Sequence, residues 1–494
     1  MSVRTLAELL TPVSGLELDA DIAELVVTGL SQDSRNVSPG DLFLARTGVS
    51  HKGIDFVQSA AAEGAVAAVV NQAELAAAEP IKAAIPLIAV EDVNRLIGSI
   101  ASEYYGHPTR DMKVVGVTGT NGKTSCSHYI AQLMASAGEV SALIGTVGNG
   151  LLDNMQQATH TTPDAVSLQA LFAELKQQGA TLVVMEVSSH ALDQHRVGGV
   201  EFDVAAFTNL SRDHLDYHGD MASYGAVKSK MFTELGVPSQ VINLDDDYGQ
   251  RLVGIAQAKQ LLTFSEKAES DISAKSIVLS DRGIQADIST PWGTLQLDSG
   301  LIGRFNLSNL LLTVAVAGEL GLTRAQIEQG VNGVVAVPGR MQLVSRKRPL
   351  VVVDYAHTPD ALEKALEALA QHCQGKLWCV FGCGGDRDTG KRPEMARIAE
   401  RLSGQVVITS DNPRGEEPDA IIAMVLAGIQ DKQAALCISD RKEAINSAVS
   451  ALQTNDILLI AGKGHETYQE IKGVRMPFDD VAVATDALAL RAGE

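Results

Sequence analysis

The stretch VVGVTGTNGKTS, residues 114–125, restricts this chain more than any other. A β-branched apolar run passes into a loop with Gly116, Gly119 and Gly122, and Lys123-Thr124 follow at once. That order predicts a buried strand, a tight turn and the first turn of a helix. Backbone N–H groups at such a helix start can cradle phosphate oxygens. A lysine there reaches the outer phosphates, and the threonine hydroxyl can ligate Mg²⁺. The strict G-x-x-x-x-G-K-[ST] spacing is not met, because residue 117 is valine, so this is a variant loop.

The pattern around it is that of an α/β protein. KVVGV, TLVVMEV, DVAAFTN and SQVINL are short and β-branched, as strands buried on both faces are, with helical patterns between them. Residues 271–302 alternate polar and apolar positions and predict antiparallel strands. PLVVVDYA, KLWCVFG, QVVITS and DILLIAGKG repeat the α/β theme. After Thr358-Pro359, Leu362, Leu366 and Leu369 share one helix face, and Pro359 suits the first turn. Breaks near 105–111 and 337–340 divide the chain into 1–110, 111–338 and 339–494. The expected architecture is three α/β domains: a small N-terminal one, a central ATPase-like parallel sheet with an added antiparallel region, and a C-terminal Rossmann-like domain.

Composition narrows the function classes. The 494 residues exceed one ordinary core. With 40 basic and 60 acidic residues the net charge is −20, so no general field favours nucleic acid or an anionic membrane. The five cysteines form no C-x-x-C pair, which argues against a disulfide framework or structural zinc. MSVRTLAELL has no apolar signal core and no stretch reads as a membrane span, so a cytoplasmic protein is expected.

Candidate residues cluster at predicted strand ends, where open α/β sheets bind ligands. Glu186 ends TLVVMEV and is either a Mg²⁺ ligand or an ion-pair partner. NLSRDHLDYHG, residues 209–219, gathers Asp213, His214, Asp216 and His218. Leucine follows His214, so the glutamate of a zinc-peptidase motif is missing. Lys228 and Lys230 read only as a basic helical turn. Asp354, with His357 nearby, suits either a ribose hydroxyl or a helix cap. FGCGGDRDTGKRP, residues 381–393, suits a carboxylate or a phosphate. In TSDNPRGEEP, residues 409–418, Pro413 fixes φ, Glu416-Glu417 suit a helix start, and Arg414 stands among acids. Four such loops, that of AGKGHETY included, are expected to share one sheet edge.

Taken in order, TGTNGKT (118–124), EVSSHALDQHR (186–196), TNLSRDHLDYHG (208–219), GRFNLSN (303–309), DYAHTPDALEKAL (354–366), GCGGDRDTGKRP (382–393), DNPR (411–414) and AGKGHE (461–466) resemble the Mur ligase family over essentially the whole chain. The resemblance, which includes DSRNVSPGDLFLA (33–45) and PGRM (338–341), implies an ATP-dependent amide ligase of peptidoglycan synthesis. It implies UDP-N-acetylmuramoyl-L-alanyl-D-glutamate, meso-diaminopimelate and ATP as partners, Mg²⁺, and a monomeric enzyme. By resemblance, Ser34, Val49, Ser50, His51, Thr161, Thr162, Ser188, Gln194 and Arg196 hold the UDP substrate. Gly119, Thr120, Asn121, Gly122, Lys123, Thr124 and Ser125 hold ATP, with Asn306, Asn309, Arg340, Asp354 and His357. Thr124, Glu186, His214 and Lys228 match magnesium-site positions, Lys228 as a CO₂-derived carbamate. Arg392, Asp411, Asn412, Pro413, Arg414, Gly462 and Glu466 match diaminopimelate-binding positions.

The implied reaction phosphorylates the dipeptide's terminal carboxylate, and an amine then attacks the acyl phosphate. Lys123, Lys228, Glu186 and His214 are the expected catalytic group. A sibling ligase taking L-lysine or a folylpolyglutamate-type substrate, or an ATP-hydrolysing switch that ligates nothing, are the alternatives. A folate enzyme has no use for a UDP-binding domain. Lysine lacks the second carboxylate that an arginine fork such as Arg414 would hold.

Overall fold

The computed structural model describes residues 3–48, 51–77, 84–158, 160–280, 282–345 and 347–492. It forms two compact units, one of Met1–Thr263 with Glu319–Gly321, the other of Phe264–Gly318 with Leu322–Glu494.

The first unit begins with a parallel sheet in the order Gly29–Ser31, Asp41–Leu44, Ala67–Asn71, Leu87–Val90. The Ala-rich stretch that follows residue 57 is helix, strand and helix: Val57–Ala62, Ala67–Asn71 and Gln72–Ala77. A second parallel sheet has the strand Lys113–Thr118 at its centre. Leu182–Glu186 pairs on one side of it and Val204–Phe207 on the other. Ser141–Ile144 and Ser239–Asn243 extend the sheet outward on the two sides. The chain therefore builds to one side of Lys113–Thr118 and then crosses to the other. That reversal opens a crevice at the carboxyl ends of Lys113–Thr118 and Val204–Phe207. These strands are almost wholly buried, which explains their unbroken β-branched runs.

In the second unit Ile272–Ser280, Gly283–Ser289 and Leu295–Ser299 form the expected antiparallel meander. Its larger sheet runs Leu350–Asp354, Ile457–Ala461, Leu377–Phe381, Gln405–Ile408, Leu436–Cys437, all parallel, with Gln342–Leu343 antiparallel at one edge. Alternate residues of each strand serve opposite faces. Val352, Leu459 and Phe381 pack with Leu362, Leu366, Leu369 and Met395. Val351, Val353, Leu458 and Ile460 pack with Ile445, Ala448 and Ala484. The sheet is thus covered by helices on both sides, as a Rossmann-like domain is. The Thr358 hydroxyl accepts from Ala361 N at 3.4 Å and caps the helix Pro359–Ala370. The loops after Asp354, Ala461, Phe381 and Ile408 follow neighbouring parallel strands and share one edge, as the sequence pattern predicts.

Candidate active site

In the first unit the glycine-rich loop is held by the segment after the strand Val204–Phe207. Thr120 N donates to Asn209 O at 2.8 Å, and Asn121 N to Asn209 Oδ1 at 3.0 Å. The Thr208 hydroxyl donates to Asn121 O at 2.7 Å. Gly119 has φ +143°, and a Cβ there would collide with Thr208 Oγ1, so backbone approach requires glycine. The helix Lys123–Ser136 starts at Lys123, with Gly122 as its N-cap and Ser125 buried in its first turn. Lys123 Nζ donates to the carbonyls of Gly119 and Thr120 at 3.0 and 2.9 Å.

Glu186 ends its strand with 1% of its surface exposed. Its carboxylate accepts from Thr124 Oγ1 at 3.0 Å, Thr146 N at 2.7 Å and Thr146 Oγ1 at 3.2 Å. Among the described residues its partners are hydroxyls and an amide rather than a basic side chain, so Glu186 is not an ion-pair partner there. Oxygen donors of this kind suit a hard cation such as Mg²⁺.

Lys228 projects from the helix Met221–Thr233 and is 1% exposed. Its Nζ donates to Gly119 O at 2.8 Å and lies 4.8 Å from the centroid of the Tyr224 ring. Burial, and then the charge of Lys123, push its pKa well below that of an ordinary lysine. The basic turn of the sequence reading is therefore a buried amine on the phosphate loop itself. Composition carries no signal for that, because the contact spans 109 residues of chain. His214 has φ +51° and N-caps the short helix Leu215–His218, with Nε2 3.3 Å from Asp213 Oδ2. The ring of His190 lies 5.0 Å from that of His214 and 5.6 Å from that of His218. The sequence reading passed over His190, which EVSSHALDQHR contains.

Thr161, Thr162, Ser188, Gln194 and Arg196 are brought together beside Glu186. The Thr162 hydroxyl donates to Glu186 O at 2.8 Å and accepts from Ser188 N at 3.1 Å. Thr161 and Thr146 hydroxyls are 3.1 Å apart. Arg196 Nη1 donates to Thr162 O at 2.9 Å, and its Nη2 to Gln194 Oε1 at 2.8 Å. Ser34 and His51 line a cleft of about 820 Å³ with Arg46 and Asp164. Val49 and Ser50 lie outside the described residues.

In the second unit Asn306 and Asn309 sit one turn apart on the helix Phe305–Glu319, joined by a 3.1 Å hydrogen bond. The Arg340 guanidinium lies 4.7 Å above the centroid of the Tyr355 ring. Asp354 accepts from Met341 N at 2.6 Å and caps no helix, since Thr358 does that. Surrounding protein holds its carboxyl above the usual range, with the Arg340 charge opposing. His357 Nδ1 is 2.8 Å from Tyr355 O. Arg340, Asp354 and His357 thus gather around Tyr355, which the sequence reading did not select.

The loop after Gln405–Ile408 is held by several side-chain hydrogen bonds. Asn412 donates to Glu466 Oε2 at 2.7 Å and accepts from Lys463 Nζ at 3.0 Å. Lys463 is fully buried and 3.2 Å from Glu466. Asp411 Oδ1 accepts from Asn412 N at 2.7 Å, and a Cβ on Gly462, which has φ +117°, would press on Asp411 Oδ2. Pro413 is buried between Asn412 and Arg414. Two arginines here differ. Arg392 is fully buried, and Glu416 takes its Nη1 and Nη2 at 2.8 and 2.7 Å. Arg414, at φ +49°, gives Nη1 to Gly385 O at 2.9 Å and is in no ion pair among the described residues. The helix start expected at Glu416-Glu417 is present, with Glu417 at the N-cap. Pro418–Leu426 begins after Glu417, and the carboxylate of Glu416 turns back to Arg392.

These sites stand on a chain matched along most of its length. Family models described as "Mur ligase family, catalytic domain", "Mur ligase middle domain" and "Mur ligase, glutamate ligase domain" match residues 26–105, 117–317 and 339–464. The chain belongs to the Mur ligase family. A UDP-N-acetylmuramoyl-L-alanyl-D-glutamate--2,6-diaminopimelate ligase of Coxiella burnetii is 46% identical over 477 residues, 94% of this chain and 96% of that protein. One of Pseudomonas aeruginosa is 48% identical over 468 residues, again 94% and 96%. A solved structure with the same name superposes on this Mur ligase with a TM-score of 0.75 at 37% identity, covering 98% of this chain and 99% of that one. The order of three α/β domains expected from sequence is the architecture of the family. Among the described residues no helix is long and apolar enough to cross a membrane.

Proposed function

We propose that this Mur ligase joins meso-diaminopimelate to the terminal carboxylate of UDP-N-acetylmuramoyl-L-alanyl-D-glutamate, using ATP and passing through an acyl phosphate. Domain boundaries near residues 110 and 338, a cytoplasmic location and a monomeric state belong to the same reading. The observation that carries the amine's identity is the mixed charge around Arg414. A guanidinium in no ion pair among the described residues stands on the loop that carries Asp411 and that holds Glu466 through Asn412. A fork of N–H donors suits a carboxylate, and nearby carboxylates suit an ammonium. Arg392, already bidentate to Glu416, acts in this site by fixing the loop.

Phosphoryl transfer needs positioning and charge neutralisation more than a protein nucleophile. Gly119 to Ser125 hold the phosphates, and Lys123 exchanges its loop carbonyls for the outer phosphate oxygens. Asn306, Asn309, Arg340, Asp354 and His357 serve the rest of the nucleotide. Thr124, Glu186 and His214, with Lys228 as a carbamate, would hold Mg²⁺, which neutralises charge on the transferring group. The lowered pKa of Lys228 favours its neutral amine, the form that adds to CO₂, releasing one proton as the carbamate forms. Ser34, Val49, Ser50 and His51 serve the nucleotide end of the UDP substrate. Thr161, Thr162, Ser188, Gln194 and Arg196 serve the muramoyl-dipeptide. The amine's nitrogen attacks the acyl phosphate carbonyl, phosphate leaves, and the amide remains.

An amine panel tests the reading by ADP release with meso-diaminopimelate, L-lysine, L-ornithine and no amine. Release is expected to need both the UDP-dipeptide and meso-diaminopimelate. Release indifferent to the amine would mean a nucleotide switch, and release with lysine preferred would mean a sibling ligase.

A further inference from the structure

Arg46 follows the strand Asp41–Leu44 by two residues, one position beyond the block DSRNVSPGDLFLA. Its Nη2 donates to Gln194 Oε1 at 2.9 Å. The same oxygen accepts from Arg196 Nη2 at 2.8 Å and Nε at 3.1 Å. Two guanidiniums therefore share one neutral amide oxygen. Like charges held this close repel, and an amide oxygen with two lone pairs offsets little of it.

Among the described residues no carboxylate is hydrogen-bonded to either guanidinium, and the charge of Asp164 only partly offsets that of Arg46 on Arg196. Neither arginine belongs to an ion pair among the described residues, and their hydrogen bonds go to amide and carbonyl oxygens. Asp164 faces Arg196, but its oxygens accept from Val166 N, Ser167 N and Ser167 Oγ. Asp193 takes the Tyr217 hydroxyl and Lys230. By contrast Arg392 and Arg441 each hold a carboxylate through both fork nitrogens. A double positive charge held on one amide oxygen, with no carboxylate bonded to it among the described residues, in a chain of net charge −20 marks a place suited to an anion. Arg46 lines the cleft of about 820 Å³ with Ser34, Gly48 and His51, while Arg196 reaches Thr162 O. The pair thus stands where the cleft meets the Thr162–Ser188 group.

We propose that Arg46 is a substrate-binding residue, forming with Arg196 a two-arginine cradle for a multi-oxygen anion of the nucleotide substrate, with Gln194 setting their spacing. This rests on the UDP-substrate reading of the cleft. The anion is either the diphosphate or a carboxylate of the dipeptide, which have the same chemistry for a guanidinium fork.

The test is calorimetric binding of uridine, UDP and UDP-N-acetylmuramoyl-L-alanyl-D-glutamate to the full chain, its Arg46→Ala variant and its Arg46→Lys variant. With a diphosphate in the cradle, Arg46→Ala weakens UDP and the full substrate alike, about tenfold or more, with uridine unchanged. With a carboxylate there, only the full substrate weakens. In both cases Arg46→Lys recovers part of the loss, KM for ATP stays the same, and the ligand-free melting temperature does not fall. UDP and full substrate binding within twofold of the parent would overturn the proposal while leaving the function reading intact. A fall in ligand-free melting temperature with equal weakening of all three ligands, uridine included, would also overturn it, because Arg46 would then be structural. A parent chain that binds none of the three overturns both readings.

Discussion

Two strand-end sites, one in each unit, use charge in opposite ways. Around the phosphate loop the charged groups are segregated. Lys123 and Lys228 both donate to Gly119 O, and among the described residues Glu186 accepts only from hydroxyls and an amide. Around Asp411–Arg414 the signs are interleaved: Lys463 with Glu466, Arg392 with Glu416, and Arg414 in no ion pair among the described residues. Segregation suits a polyanion that arrives with its own cations. Interleaving suits a zwitterion whose ammonium and carboxylate must each find a partner. Both sites lie at the carboxyl ends of parallel strands, so the fold alone does not separate them.

The contrast breaks first at Lys228. Lys228→Ala is expected to lower kcat by about 10²–10³-fold, the scale of losing one positioned electrostatic group. Short carboxylates added to the variant should restore part of the rate, which single-turnover ADP release would measure. A fully active variant removes Lys228 from the site. Next comes Arg414→Ala. Losing a charged fork costs about 2–5 kcal/mol, expected in KM for meso-diaminopimelate and not in KM for ATP. Equal small changes in both constants would mean that the interleaved loop does not read the amine.

The smallest effect concerns the committed arginine. Bonds from Arg392 hold the Glu416 carboxyl at about 2, below the ordinary glutamate value of 4.5. A depressed carboxyl stabilises the fold above its unfolded pKa, and that contribution fades as pH falls from about 4.5 through about 2. Glu416→Gln should therefore flatten the drop in melting temperature over that window relative to the parent. Identical pH profiles would show that the pair contributes nothing to loop order.

Local pattern made much of this readable in advance. The strand–glycine–helix junction at 114–125 needs only neighbouring residues, because N–H groups at a helix start point at the loop that precedes them. The same holds for Thr358 and Pro359, whose cap and first-turn roles are set within four residues. Local pattern placed the helix start after Glu416-Glu417, but not the ion pair that Glu416 makes with Arg392, 24 residues away. Arg46 lay outside the motif blocks, and its partner Gln194 is 148 residues distant.

Sequence alone settled the class of the sheets, the position of the phosphate loop and the family, since β-branched runs, glycine spacing and helix caps act over a few residues. Tertiary structure alone decided which charges stay paired. It spent Arg392 on Glu416 and left Arg414 open, and it buried Lys228 against the Gly119 carbonyl. Those outcomes depend on distance and desolvation across the fold, which no local pattern encodes.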